Sequence, residues 1–121
     1  LNQKVKIAEK YTKSFSKNKN ITPPYVPNYV NRPSWYMYSI TVDQEVQRPL
    51  IDHLTKKNIE TRLSFPPVHI QPYHKNKFDL KEKDFPEALK CYRSFIDIPI
   101  WADMGNLKQD FVVNEILSFL R

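Results

Sequence analysis

Ten prolines against a single glycine fix where this 121-residue chain can run regular structure. Each proline removes a backbone donor and pushes its predecessor toward extended geometry. Pro23, Pro24, Pro27 and Pro33 make residues 21–34 a connector, unsuited to central helix or interior strand. Pro66-Pro67 ends whatever precedes it, and Pro99 marks an edge position or a strand end. Pro49 suits the first turn of a helix. The lone glycine excludes phosphate-cradling loops built on several glycines.

Between these breaks the periodicity is readable. Leu1, Val5, Ala8, Tyr11 or Thr12, and Phe15 follow a 3.6 period and predict an amphipathic helix over 1–16. Residues 35–42 alternate, with Tyr36, Tyr38, Ile40 and Val42 on one face, and predict a strand. A short helix is expected from Arg48 to about Lys57, closed by a left-handed Asn58. Residues 59–65 read as a second strand, and 68–83 as irregular. Asp84 with Glu87 resembles a cap for a helix running to about Ser94, burying Leu89 and Tyr92 or Phe95. Residues 96–101 read as a third strand, and Asn106 with Gln109 as the cap of a last helix over 107–120. The fold class expected is α/β (α+β): a small, mostly antiparallel sheet of about three strands covered by helices.

Charge is local. Residues 1–20 hold six lysines and one glutamate, whereas the other 101 residues carry 13 basic and 12 acidic groups. A basic helix of this kind is either a solvated face or an arm for nucleic acid or another acidic partner. No apolar run reaches bilayer-spanning length, and no secretory pattern opens the chain.

Little complete chemistry is visible. His53, His69 and His74 lack metal-ligand spacing, and a single cysteine, Cys91, makes neither a disulfide framework nor a thiolate zinc site. Cys91 in a helix reads as a small buried hydrophobe. No nucleophile-base-acid arrangement stands out. Arg62 is the exception, placed near a strand end before Pro66-Pro67, with His69, Gln71 and Tyr73 close behind. Such an arginine either binds a carboxylate or phosphate through its fork of donors or is an exposed strand-end cation.

The stretch from Ile59 to Tyr73, IETRLSFPPVHIQPY, resembles a segment of the DegT/StrS family of nucleotide-sugar aminotransferases, which use pyridoxal phosphate on a fold-type I scaffold. The surroundings match in order. Ala8 and Tyr11 resemble the family's A-x-x-Y helix. Trp35-Tyr36-Met37-Tyr38 resembles the aromatic strand opening its small domain, and Arg48 to Leu54 its R-x-x-L-x-x-x-L helix. Asp97-Ile98-Pro99-Ile100-Trp101 resembles its S-L-P-L-x-P strand. Asn58, Ala102 and Trp35 depart from the family's usual Gly, Pro and His.

The resemblance implies a single C-terminal small domain over 1–121: a basic linking helix (1–18), a proline-rich connector (19–34) and a sheet-and-helix body (35–121). It implies a missing larger domain that carries the Schiff-base lysine, a homodimeric cytoplasmic parent, and glutamate and a keto-sugar nucleotide as substrates. No lysine here matches the catalytic one, so the chain alone is expected to be inactive and to bind no cofactor. By carry-over, Arg62 would take the donor carboxylate or a substrate phosphate, and His69 would contact the sugar nucleotide. Phe65 and Tyr73 would shape the pocket wall, with Gln71 a further candidate. Trp35 and Tyr38 would pack beside the site. An apolar patch bordered by Pro66-Pro67 and the Trp35 strand is expected to face the missing domain. The resemblance implies neither nucleic acid nor membrane as a partner; the competing reading is a free-standing binding module that uses the basic helix for nucleic acid or another acidic partner.

Overall fold

Ile7, Ala8, Tyr11 and Phe15, spaced one, three and four apart, are the buried stripe of helix α1 (Asn2–Phe15) in the computed structural model, which describes residues 2–121. The stripe is rotated from the expected one. Ile7 enters the core and Val5 stays half-buried, while Leu1 lies outside the described residues. Tyr11 is the centre of this packing. Its hydroxyl donates to the Pro99 carbonyl at 2.9 Å and reaches the Met104 sulfur at 3.6 Å. Its ring stacks on Phe15 and tilts against Tyr38. The Tyr38 hydroxyl shares a 2.7 Å hydrogen bond with Thr12 Oγ1. Burial pushes both phenols up. Tyr38 reaches about 12 despite the opposing Thr12 bond. Tyr11 goes higher, with nearby Tyr38 adding to the effect of burial.

The sheet has two strands, not three. β1 (Tyr38–Thr41) runs antiparallel to β2 (Phe95–Ile98), in the register Tyr38↔Ile98 to Thr41↔Phe95. The stretch expected as the second strand, 59–65, contributes a single bridge, Arg62 to Asp97. In this register the next hydrogen-bonding positions of β2 are Phe95 and Pro99; the Phe95 carbonyl is taken by Gln47 Nε2 at 2.8 Å and Pro99 has no N–H to offer. The expected strand over 35–42 loses its first three residues. Trp35 adopts φ 50, so the alternation breaks there, and Tyr36 and Met37 turn outward. The expected strand over 96–101 begins one residue earlier and stops at Ile98, before donor-less Pro99. The proline connector is not wholly unpaired, since Thr22 bridges to Thr41.

Helix α2 (Gln44–Lys56) begins four residues before Arg48, and Pro49 sits inside it. Its end is as expected. Asn58 takes φ 57, and the Asn58 and Ile59 amides donate to the Thr55 and Leu54 carbonyls. Residues 68–83 are less irregular than expected. A 3-10 turn at Val68–Ile70 leads into the short α3 (Pro72–Lys77), and a second turn spans Glu82–Asp84. Asp84 does not cap the next helix. Its carboxylate accepts the Lys81 backbone amide at 2.7 Å, and α4 (Pro86–Ser94) starts after Phe85. Leu89 and Tyr92 are only half-buried there, and Cys91 is exposed rather than buried.

Helix α5 (Asn106–Phe119) follows Gly105. Asn106 is its first residue rather than a side-chain cap, and Gln109 is buried, donating to the Ile7 carbonyl at 2.7 Å. One core cluster runs from Ile7 to Leu120 and lies between the sheet and helices α1, α2 and α5.

A candidate ligand cleft beside Arg62

Arg62 is fixed through its backbone. Its amide donates to the Asp97 carbonyl at 3.0 Å, and the Asp97 amide returns a bond at 2.9 Å. This mutual pair puts both side chains on one face of the sheet, while the intervening Ile96 and Ile98 point into the core. Arg62 is exposed, Asp97 is buried at 7% exposure, and the Ser39 hydroxyl donates to Asp97 Oδ1. Arg62 lies on the rim of a cleft of about 520 Å³ that Tyr36, Met37, Trp101, Lys108 and Phe111 also line. Lys108 Nζ stands 5.8 Å from the centre of the Trp101 ring. The cleft therefore offers two cations, Arg62 and Lys108, two carboxylates, Glu60 and Asp97, and aromatic walls, a combination suited to an organic ligand that carries an anion beside hydrogen-bond donors.

The other candidates sit on the flap formed by residues 63–85. His69 is buried at 5% exposure and lies 5.0 Å from the Phe85 ring. Its Nε2 is buried without a hydrogen-bond partner among the described residues. A buried ring nitrogen left unpaired costs stability unless something outside these residues satisfies it. Phe65 is 93% exposed and Tyr73 is also exposed. Lys77 donates to the Tyr73 hydroxyl at 3.2 Å and lies 5.4 Å from each of the Tyr73 and Phe78 rings. Gln71 braces the flap by donating to the Pro66 carbonyl at 2.9 Å. The structure thus places Arg62 on the cleft and His69, Gln71, Tyr73 and Phe65 on the flap. Trp35 and Tyr38 pack together with ring centres 5.4 Å apart, Tyr38 fully buried and Trp35 half-buried.

Sequence reasoning passed over Asp97, Ser39 and Lys108 as site residues. The signal for Asp97 was present, an acid between two isoleucines in a strand. Among the described residues no group of three or more His, Cys, Asp or Glu side chains is placed to hold a metal. No helix among them is long and apolar enough to cross a membrane. On the basic helix, Lys10 pairs with Asp110 at 2.6 Å and Lys4 donates to the Trp35 carbonyl at 3.3 Å, so part of its charge serves packing within the chain.

Residues 1–117 match the family model of the DegT/DnrJ/EryC1/StrS aminotransferase family. The chain belongs to this family. It is 29% identical over 120 residues to the spore coat polysaccharide biosynthesis protein SpsC of Bacillus subtilis, covering 95% of this chain and 31% of SpsC. Its fold is similar to that of DesV from S. venezuelae, solved in complex with a ketimine intermediate, with a TM-score of 0.88 at 20% identity. That match covers 99% of this chain and 32% of DesV. The PLP form of the sugar aminotransferase Spr1654 from Streptococcus pneumoniae aligns with a TM-score of 0.87 at 17% identity, over 98% of this chain and 30% of that one. The chain thus spans about a third of the length of these three proteins.

The residues present do not by themselves make a seat for pyridoxal phosphate. Bonding its aldehyde calls for a lysine amine in a water-poor pocket, and no lysine among the described residues is buried. The sole glycine, Gly105, lies on an open turn rather than in a loop that cradles phosphate.

Proposed function

We propose that this chain is the C-terminal, pocket-closing part of a nucleotide-sugar aminotransferase that moves an amino group from glutamate to a keto-sugar nucleotide. The observation that carries the reading is the family match over residues 1–117. In this reading a larger part of the same polypeptide holds the cofactor, and pyridoxal phosphate supplies the electron sink for the transfer. The parent is a homodimer and works in the cytoplasm.

This chain's own residues have a narrower task. Arg62, on the cleft rim, binds the donor carboxylate or a substrate phosphate through paired N–H donors. His69 directs a ring nitrogen at the sugar nucleotide when the flap is covered. Phe65 and Tyr73, already exposed, form the apolar wall that keeps water from the reacting groups. Gln71 holds the turn that presents them. Two features support this assignment: the flap's aromatic groups lack cover in the described residues, and the basic helix is drawn into the core by Tyr11 and Gln109.

The test is an amino-transfer assay on the full-length polypeptide that carries this chain, with glutamate and a panel of nucleotide-linked keto-sugars. Transfer that falls at least about tenfold in Arg62→Gln is the expected result, the loss of one charged hydrogen-bonding partner. Absence of transfer across the panel overturns the reading. Lys4→Ala, Lys10→Ala and Lys17→Ala, combined, are expected to leave transfer intact; steeply salt-dependent binding of nucleic acid that the triple variant loses would favour the binding-module reading instead.

A further inference from the structure

Ser39, Asp97 and Arg62 form a row across three adjacent segments of the sheet. Ser39 and Asp97 are direct partners in the ladder, and Asp97 and Arg62 are direct partners in the bridge. The Ser39 hydroxyl engages Asp97 Oδ1, which shows that these side chains share a face. Among the described residues the second oxygen, Oδ2, takes neither a hydrogen bond nor an ion pair. A carboxylate with 7% exposure and an unused oxygen is an unusual neighbour for an anion-binding arginine. It repels a bare anion that approaches Arg62, and it accepts a hydrogen bond from any donor attached to that anion.

We propose that Asp97 is a specificity-determining residue of this cleft: Arg62 anchors an anionic group, and Asp97 selects ligands that carry a hydroxyl or amino donor beside that anion. The inference rests on the reading of Arg62 as an anion-binding residue. Ser39 serves as the positioning residue, because its bond to Oδ1 leaves Oδ2 as the acceptor that faces the ligand. The cleft would thus reject simple phosphates and carboxylates and favour their hydroxylated or aminated relatives. A hydrophobic wall cannot make that distinction, whereas a carboxylate oxygen at the cleft can, by accepting from a ligand's donor and repelling an anion that lacks one.

The test uses the full-length polypeptide and two probes that differ in one hydroxyl, methyl phosphate and 2-hydroxyethyl phosphate, each measured as an inhibitor of amino transfer. Arg62→Gln is expected to weaken both. Asp97→Asn, which keeps shape and an acceptor for Ser39, is expected to split them. Methyl phosphate should bind about three- to tenfold tighter as the repelling charge goes, whereas 2-hydroxyethyl phosphate, which gains the same relief but loses its acceptor, should bind no tighter than before, so the preference between the probes falls about three- to tenfold. A merely structural role would move both probes the same way, and that outcome, or no change in either, overturns the inference while leaving the role of Arg62 standing. If the polypeptide transfers no amino group, or Arg62→Gln leaves both inhibition constants unchanged, the underlying reading falls and the inference with it. Should Asp97→Asn fail to fold, Ser39→Ala carries the test. Losing the bond that positions the carboxylate should weaken the hydroxylated probe alone, and an equal shift in both overturns the proposal.

Discussion

The core around Tyr11 and the flap over 63–85 use the same kinds of side chain in opposite ways. In the core, three aromatic rings stack in sequence, and both phenol hydroxyls and the Gln109 amide have partners. On the flap, Phe65, Tyr73, Phe78 and Phe85 stand exposed, and the one buried polar ring has an unpaired nitrogen. Apolar area of that kind is left open when another surface is meant to cover it. The difference separates residues that hold this chain together from residues that contribute little to its packing.

The comparison breaks most visibly at Tyr11. Tyr11→Ala removes a fully buried ring and two hydroxyl contacts, and should cost about 3–5 kcal/mol in denaturant unfolding. A cost under about 1 kcal/mol would mean the core is not centred there.

Alkaline pH tests the same region without mutation. The unfolded phenols ionise near 10, while the folded ones are held higher by burial. Stability should therefore be level below pH 10 and fall as pH rises toward 12, because the unfolded state releases protons that the folded state retains. The ring resonances of Tyr11 and Tyr38, followed by NMR alongside circular dichroism, should report ionisation and unfolding together; either of these two phenols ionising near 10 in a still-folded chain would sink the argument.

Gln109→Leu keeps volume but strips the 2.7 Å bond to Ile7, and should cost about 1–3 kcal/mol by thermal or urea unfolding. The smallest effect on stability belongs to the flap. Phe65→Ala should change the stability of this chain by no more than about 0.5 kcal/mol, and yet lower amino transfer in the full-length protein. A large loss of stability in the isolated chain would erase the contrast between the two regions.

Much of the core was legible because local periodicity and burial agree. Ala8, Tyr11 and Phe15 declare a helix face, and Tyr38 with Ile40 declares a strand face. The limits of the strands were less legible. Residues 59–65 carry strand-like composition, but the groups that Phe95 and Pro99 leave free on the facing strand decide their fate, and local composition does not report that. Within the site, Arg62 was visible from its place before Pro66-Pro67. Asp97 was not, because it meets Arg62 through a register between segments 35 positions apart. The burial of His69 depends on Phe85 arriving from beyond the next helix, and no local pattern encodes it. Gln109 looked like half of a cap because short polar spacings mimic capping pairs, whereas its partner lies 102 residues away on α1.

That last bond, together with Tyr11 to Pro99 and Asn20 to the Leu120 carbonyl, sets an order of events during synthesis. These contacts join positions 88 to 102 residues apart, so the part of α1 that they engage waits for Pro99 and α5 to follow. At roughly 5–20 residues per second, the wait is on the order of 5–20 seconds. During it the Tyr11 hydroxyl lacks the Pro99 carbonyl and the Ile7 carbonyl lacks the Gln109 amide, and only the nearer rings of Phe15 and Tyr38 are in place against Tyr11.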